Sequence, residues 1–198
     1  TISGCSTTMN DSAEILVAPQ PIVYNVTGGG GFCNGDSGVV VGLDGSDAGT
    51  VYQLLQNGVV PQGSVTGTGS AVSFPAVAVT GYYKVKAYSP YGCDGWMNDS
   101  VLVTLLPNPQ ITNVAVTNEP CNGNQLGQIS ITASSPNGNI VYSIDSAATY
   151  LTVSVFQNLG AGFYQVIVKD AAGCTTPYAA NPVEITQPDP LTIDSESM

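Results

Sequence analysis

The sequence predicts an all-β chain of tandem immunoglobulin-like β-sandwich domains joined by Pro-x-Pro linkers, and three observations predict it. First, 23 Gly and 13 Pro punctuate the chain, and no window sustains the 3.6-residue apolar period of a helix. Second, the apolar residues fall in short runs rich in β-branched and aromatic types, separated by Gly- and Asn-containing turns. Third, the chain repeats itself. With 43% hydrophobic and 9% charged residues it is globular in composition rather than disordered.

The repeat sets the organisation. Gly4-Cys5 through Pro19 matches Gly92-Cys93 through Pro107 at a shift of 88 residues, with Met-Asn-Asp-Ser in register. Cys33-Asn34-Gly35 and Cys121-Asn122-Gly123 keep the same 88-residue shift. Gly81-Tyr82-Tyr83-Lys84-Val85 with Gly92-Cys93 returns as Gly162-Phe163-Tyr164-Gln165-Val166 with Gly173-Cys174, at a shift of 81. The layout that follows is residues 1–19 as the closing strand of a preceding repeat, 20–107 as one repeat, 108–188 as a second, and 189–198 as the start of another. The chain therefore reads as an excerpt of a longer array.

In the first repeat the expected strands are Val39–Val41, Thr50–Leu54, Ala71–Phe74, Tyr83–Ala87 and Val101–Leu105. Alternation over 82–87 places Tyr83, Val85 and Ala87 inward and Lys84 and Lys86 outward. In the second they are Gln128–Thr132, Ile140–Ile144, Thr152–Phe156, Tyr164–Val168 and Val183–Thr186. Tyr83 and Tyr164, each two residues after a Gly, are candidate tyrosine corners. Pro19-Gln20-Pro21, Pro107-Asn108-Pro109 and Pro188-Asp189-Pro190 are the linkers; fixed φ angles make them semi-rigid spacers. Gly28–Gly31 lacks the Lys-Ser/Thr and the helix of a phosphate loop and reads as a flexible turn between strands.

Charge and chemistry exclude several functions. The formal charge is −11, from 14 acidic residues against three lysines, with no Arg and no His. A phosphate backbone or an anionic lipid surface needs clustered cations, so nucleic acid is excluded as a partner. No apolar run is long enough to span a bilayer, so direct membrane insertion is not expected. Without His, no Ser-His or Cys-His pair can be assembled. Asp36, Asp44 and Asp47 are the one carboxylate group close enough in sequence for acid–base work, but they stand among turn glycines, and the chain is expected not to be an enzyme. The same three residues, or Asp94, Asn98 and Asp99, are the candidates for a Ca²⁺ site; neither set has EF-hand spacing, and no other cofactor is expected. Trp96 and Tyr91 are candidates to stack on a sugar, the alternative being packing against a nearby disulfide.

Cys5, Cys33, Cys93, Cys121 and Cys174 fit the repeat rather than a metal site, since no C-x₂-C pair exists. Pairing within each repeat predicts Cys33–Cys93 and Cys121–Cys174, leaving Cys5 without a partner because its own repeat is cut off. Each bridge would close a loop of about 55–60 residues and contribute roughly 4 kcal/mol. Structural disulfides imply an oxidising, extracellular compartment.

The residues from Ile111-Thr112-Asn113-Val114 through Cys121-Asn122-Gly123 to Gly162-x-Tyr164-x-Val166-x-Val168-x-Asp170-x-x-Gly173-Cys174 and Ile185-Thr186-Gln187-Pro188 resemble the SprB-type repeat of Bacteroidota gliding-motility adhesins. The first repeat, with Gly28–Cys33 and Val41–Ser46, is similar to the Ig-like and PKD-like modules of such giant surface proteins. The resemblance implies type IX secretion, attachment at the outer-membrane surface, and a non-enzymatic stalk or adhesive role. The partners it implies are neighbouring repeats, surface polysaccharide and other cell-surface proteins. It also implies O-glycans on Asp-Ser followed by a small or aliphatic residue, which makes Ser12, Ser100 and Ser146 candidates. The rival expectations are an accessory carbohydrate-binding pair from a secreted glycan-degrading enzyme, and a surface-filament subunit.

Overall fold

The computed structural model describes residues 17–192. All regular structure in that range is strand. In chain order the first strands are β1 (Val26–Gly28), β2 (Gly30–Cys33), β3 (Val41–Leu43), β4 (Val51–Gln56), β5 (Val60–Thr66) and β6 (Val72–Ser73). There follow β7 (Gly81–Tyr88), β8 (Asp94–Trp96), β9 (Val101–Leu106), β10 (Gln110–Thr117), β11 (Gly127–Ser134) and β12 (Ile140–Ser143). The last are β13 (Val155–Leu159), β14 (Gly162–Tyr164), β15 (Ile167–Asp170), β16 (Thr175–Pro177) and β17 (Val183–Ile185).

The chain divides into two compact units, each discontinuous in sequence. The first holds the described residues up to Gly28, then Val41–Pro75 and Tyr82–Val101; the second holds Gly29–Val40, Ala76–Gly81 and the described residues from Leu102. Segments 29–40, 76–81 and 102–107 of the first repeat thus cluster with the second unit.

In the first unit β1, β3 and β6 form one antiparallel sheet, and β5, β4, β7 and β8 are joined in that order in another. The alternation expected of β7 holds: Tyr83, Val85 and Ala87 are fully buried, whereas Lys84 is exposed. Tyr52 and Leu54 of β4, Val41 and Leu43 of β3, Val26 and Phe74 complete the apolar interior. Each such aliphatic side chain contributes roughly 1.5–3 kcal/mol by leaving water.

In the second unit β10-β11-β13 form one sheet and β12-β15-β16 another, with β14 paired to β17. Taking β14/β15 as one interrupted strand and β16/β17 as the next, principal strands one, two and four share a sheet, and three, five and six share the other. This is the strand partition of immunoglobulin-type sandwiches. The core gathers Ile129 and Ile131 of β11, Val168 of β15, Val183 and Ile185 of β17, and Val166.

The strand expected over Tyr164–Val168 is interrupted because the Asn181 side chain takes the place of a ladder partner. Val166 N donates to Asn181 Oδ1 at 2.9 Å, and Asn181 Nδ2 donates to Val166 O at 2.8 Å. Tyr164 is the expected tyrosine corner, its hydroxyl donating to Gly160 O at 2.8 Å. Burial and, secondarily, the nearby Glu119 charge push its pKa up.

The glycine run is not a flexible turn throughout. Gly28, Gly29 and Gly30 have φ of 83°, 75° and 105°, which lets the chain leave β1 and enter β2 at once. Strand β2 then pairs in parallel with β9, Gly30 opposite Val103 and Cys33 opposite Leu106. A Cβ on Gly31 would lie 2.5 Å from the Leu106 side chain, so any larger residue here would force Leu106 to shift.

Candidate functional site

The parallel pairing of β2 carries Cys33 to the end of β9, where Leu106 leads into Pro107-Asn108-Pro109. Asn34 N donates to Leu106 O at 3.2 Å, and Asn108 Nδ2 donates to Asn34 O at 3.0 Å. The other side of the same linker is held by two more side chains. Asn137 Nδ2 donates to Pro107 O, and Thr176 Oγ1 donates to Pro109 O, both at 2.7 Å. Thr176 lies two residues beyond Cys174, so both cysteines are brought to one proline-rich segment. They are bonded: Cys33 and Cys174 form a disulfide with Cα atoms 5.4 Å apart, across 141 residues of sequence.

This corrects the expected pairing within each repeat. Cys33 is bonded to Cys174 rather than to Cys93, and Cys121 is not bonded to Cys174. Cys93 is a half-buried free thiol and Cys121 an exposed one. A disulfide needs Cα atoms within about 4.4–6.8 Å, and strand register, not membership of a repeat, decides which cysteines meet that limit. Cys93 instead lies against the preceding linker, its Sγ 3.7 Å from Ala18 O. Cys5 lies outside the described residues.

Asp170, only 4% exposed, builds the loop that presents Cys174. Its Oδ1 accepts from Ala172 N at 3.1 Å and Cys174 N at 3.0 Å. Its Oδ2 accepts from Ser135 Oγ at 2.8 Å and Asn137 Nδ2 at 2.9 Å. Burial by itself would raise the Asp170 pKa, but these four donors outweigh it and hold the carboxyl below its ordinary value. Gly173, at φ 93°, closes the turn, and its N–H donates to Asp170 O at 3.0 Å. The Asp-x-x-Gly-Cys string is thus a positioning device for a disulfide, and Asp170 is the functional residue that sequence reasoning missed as a site. The acid-to-Cys spacing was its only signal.

A second surface feature lies on the outward face of β7 and β8. Lys86 is opposite Trp96 in register, and Tyr88 opposite Asp94. The Lys86 ammonium pairs with the Asp94 carboxylate, which raises the lysine pKa. The same ammonium sits 5.3 Å from the Tyr88 ring centre and 5.7 Å from that of Trp96. Trp96 is 47% exposed. It does not pack on a disulfide, because Cys93 forms none. Trp96 and Tyr88 thus both lie near the Lys86 ammonium, while Tyr91 lines a hollow of about 270 Å³ beside Pro19 and Pro21.

The acidic candidates are spent on loop construction. Asp47 accepts from Ile22 N at 2.8 Å and Tyr24 Oη at 2.9 Å; Asp44 accepts from Asn25 N at 2.8 Å and Asn25 Nδ2 at 2.6 Å; Asp36 accepts from Cys33 N at 3.2 Å. Hydrogen bonds from Asn25 lower the Asp44 pKa. Among the described residues no three His, Cys, Asp or Glu side chains converge to hold a cation, and the Asp36, Asp44 and Asp47 carboxylates each face backbone donors. Of the second set, Asp94 faces Lys86, and Asn98 Nδ2 donates to Asn25 Oδ1 at 2.8 Å.

Ser100 and Ser146 are both exposed, beside or at residues in left-handed backbone: Asp99 has φ 64° and Ser146 φ 62°. Ser12 lies outside the described residues. In the turn holding Ser146, Asp145 Oδ1 accepts from Ser143 Oγ at 2.7 Å and Thr149 N at 3.0 Å, and Oδ2 accepts from Thr149 Oγ1 at 2.5 Å. Thr149, through its hydroxyl first, lowers the Asp145 pKa to about 2.

No family model matches the chain, and no curated protein matches it. Solved structures similar to it include a C-terminal 282-residue fragment of intimin in complex with the intimin-binding domain of its translocated receptor. That match has 14% identity over 83% of this chain and 64% of the fragment, at a TM-score of 0.46. The FN1–FN3 domains of chicken CNTN1 match at 19% identity over 87% of this chain and 69% of theirs, with a TM-score of 0.46. The Ig1–Ig3 ectodomain of mouse nectin-like molecule 4 matches at 12% identity over 87% and 67%, with a TM-score of 0.30. This chain spans less than two thirds of the intimin fragment, and at these scores function rests on its own residues. No helix of the described residues is long and apolar enough to cross a membrane.

Two outcomes are expected at these sites. Asp170→Ala orphans four donors around a buried point and should destabilise the chain by about 3 kcal/mol, measured by urea unfolding. It should also slow recovery of the Cys33–Cys174 bridge after reduction. An unchanged midpoint and unchanged reoxidation would remove Asp170 from this role. Asp145, with its folded pKa depressed to about 2, contributes stability that is full above about pH 4 and lost as pH falls through about 2. A carboxyl NMR titration should show that midpoint, and Thr149→Val should move it back toward the ordinary aspartate range.

Proposed function

We propose that this chain is a segment of an extracellular, non-enzymatic stalk in which consecutive repeats are stapled covalently, as part of a large cell-surface adhesin. The observation that carries the reading is the Cys33–Cys174 bridge, which ties a residue of the first repeat to a residue of the second on either side of a Pro-x-Pro segment. A spacer under tension gains from such a bond, because load between the two anchor points passes through covalent sulfur rather than through strand hydrogen bonds. A persistent bridge also favours an oxidising, extracellular site.

The Asp-x-x-Gly-Cys and Ile-Thr-Gln-Pro strings support a kinship with SprB-type repeats, and with it type IX secretion, outer-membrane attachment and gliding-related adhesion. In that setting Ser100 and Ser146 carry O-glycans on exposed turns. The partners are neighbouring repeats, with surface polysaccharide or surface proteins touched weakly along the length.

The Trp96–Tyr88–Lys86 face favours a second reading, a carbohydrate-binding module of a secreted glycan-degrading enzyme. An exposed ring beside an ion pair offers stacking and hydrogen bonding to a sugar. A glycan array with titration separates the two: the stalk predicts no saturable binding and no difference between the chain and its Trp96→Ala variant. Saturable binding lost by about tenfold or more (~1.4 kcal/mol) in Trp96→Ala would replace the stalk with the module. Intact-mass measurement of material from the native host should show hexose-containing additions on the peptides of Ser100 and Ser146. Unmodified mass on both would remove glycosylation from the reading.

A further inference from the structure

The two free thiols occupy the two halves of the bridge that Cys33 and Cys174 complete. The turn at Cys93 has the hydrogen-bond pattern of the turn at Cys174. Ser89 N donates to Cys93 O at 2.8 Å, Gly92 N to Ser89 O at 3.1 Å, and Tyr91 N to Ser89 Oγ at 3.2 Å. In the bridged loop Asp170 N donates to Cys174 O at 3.0 Å, Gly173 N to Asp170 O at 3.0 Å, and Ala172 N to Asp170 Oδ1 at 3.1 Å. Gly92 and Gly173 share a left-handed φ, 86° and 93°. Each loop also lies on the linker that precedes its own repeat: Cys93 against Ala18, next to Pro19, and the Cys174 loop, through Thr176, against Pro109.

Cys121 repeats the other half. Cys33-Asn34-Gly35 lies on the linker that follows its repeat, through Asn34 N to Leu106 O and Asn108 Nδ2 to Asn34 O. Cys121-Asn122-Gly123 lies on the next such linker. Asn122 Nδ2 donates to Pro188 O at 3.0 Å, and Gly123 N to Gln187 Oε1 at 2.9 Å. Beside it Cys121, Pro188, Asp189 and Pro190 line a hollow of about 430 Å³. An exposed cysteine alone would mean nothing. Here the equivalent cysteine of the same chain, on the equivalent linker, is bonded, and the loop it is bonded to recurs at Cys93.

We propose that Cys121 is a docking site for the Gly-Cys loop of an adjoining unit of this same repeat type, and forms with that loop's cysteine a disulfide of the Cys33–Cys174 kind. Cys93 is the complementary half, presented to a Cys-Asn-Gly turn. Closing the bond removes two thiol protons and two electrons. A disulfide oxidant such as oxidised glutathione accepts them and is reduced to two thiols. Every Pro-x-Pro junction of an array would then be spanned by one bridge, always from the Cys-Asn-Gly turn of one repeat to the Gly-Cys loop of the next. The proposal rests on the tandem-array reading above, but disulfide mapping is blind to adhesion and glycan binding, so either can fail alone.

The test is the full chain with residues 110–198 repeated directly after Pro190, refolded in a glutathione buffer and mapped by non-reducing peptide mass spectrometry. The expected result is a Cys121–Cys174 peptide in the monomer alongside Cys33–Cys174. With Cys121→Ser in the added copy, so that a single Cys121 peptide remains, its alkylation should fall at least about tenfold, given the millimolar effective concentration that a short linker supplies. Adding Cys174→Ser in the same copy should return Cys121 to full alkylation. An alkylatable Cys121 beside an intact Cys33–Cys174 bridge overturns the proposal. If the longer chain does not fold, the unextended chain decides at high concentration. Cross-linking between copies should join Cys121 to Cys93, and a predominance of Cys121–Cys121 links, or none, overturns it.

Discussion

The bond between Cys33 and Cys174 is the constraint on which the rest of the second unit hangs. In the chain-entropy picture, closing a loop across 141 residues removes roughly 5 kcal/mol of unfolded-state freedom. That gain is available only if the folded chain brings the sulfurs together without distortion. Three non-covalent devices do so. The parallel β2–β9 register delivers Cys33 to Leu106, the Asp170 carboxylate shapes the Cys174 turn, and Asn137 and Thr176 clamp the Pro107–Pro109 carbonyls. Asn137 Nδ2 serves both the Asp170 carboxylate and Pro107 O, so the turn and the linker share one amide.

What was legible in the sequence was what is local. Alternation over 82–87 gave the correct faces of β7, because strand period depends only on neighbours along the chain. The Tyr164 hydroxyl meets a nearby backbone group, as a tyrosine corner should, at Gly160 O. The failures were non-local. Of Gly30-Gly31-Phe32-Cys33, the two glycines disfavour a strand; β2 exists because β9 supplies a parallel partner and Gly31 leaves room for Leu106. The interruption between β14 and β15 depends on Asn181, fifteen residues from Val166. The pairing of cysteines failed for the same reason: each repeat was treated as closing on itself, whereas register across the linker selects the partner.

The acidic composition has a structural explanation in the loops. Asp36, Asp44, Asp47, Asp145 and Asp170 all accept hydrogen bonds from backbone N–H groups. A carboxylate accepts several donors at once and tolerates turn geometry, so a loop-rich sandwich with few long strands uses many of them. With three lysines against 14 acidic residues in the chain, most of that charge has no cationic partner, so the chain carries a net negative self-repulsion.

The two kinds of cysteine turn would give the proposed array a direction. Cys-Asn-Gly turns lie on the linker that follows their repeat, and Gly-Cys loops on the linker that precedes theirs. A bridge between unlike turns is heterologous: it propagates from one repeat to the next instead of closing a symmetric pair. The Gly-Cys loops also differ where it matters, since the loop in its bridge is held by the buried Asp170 carboxylate and the unbridged one by the Ser89 hydroxyl. A charged acceptor binds its donors roughly twice as strongly as a neutral one. The Cys174 loop is therefore the more firmly held of the two by its hydrogen bonds. Direction along the proposed array would thus be written at the linkers.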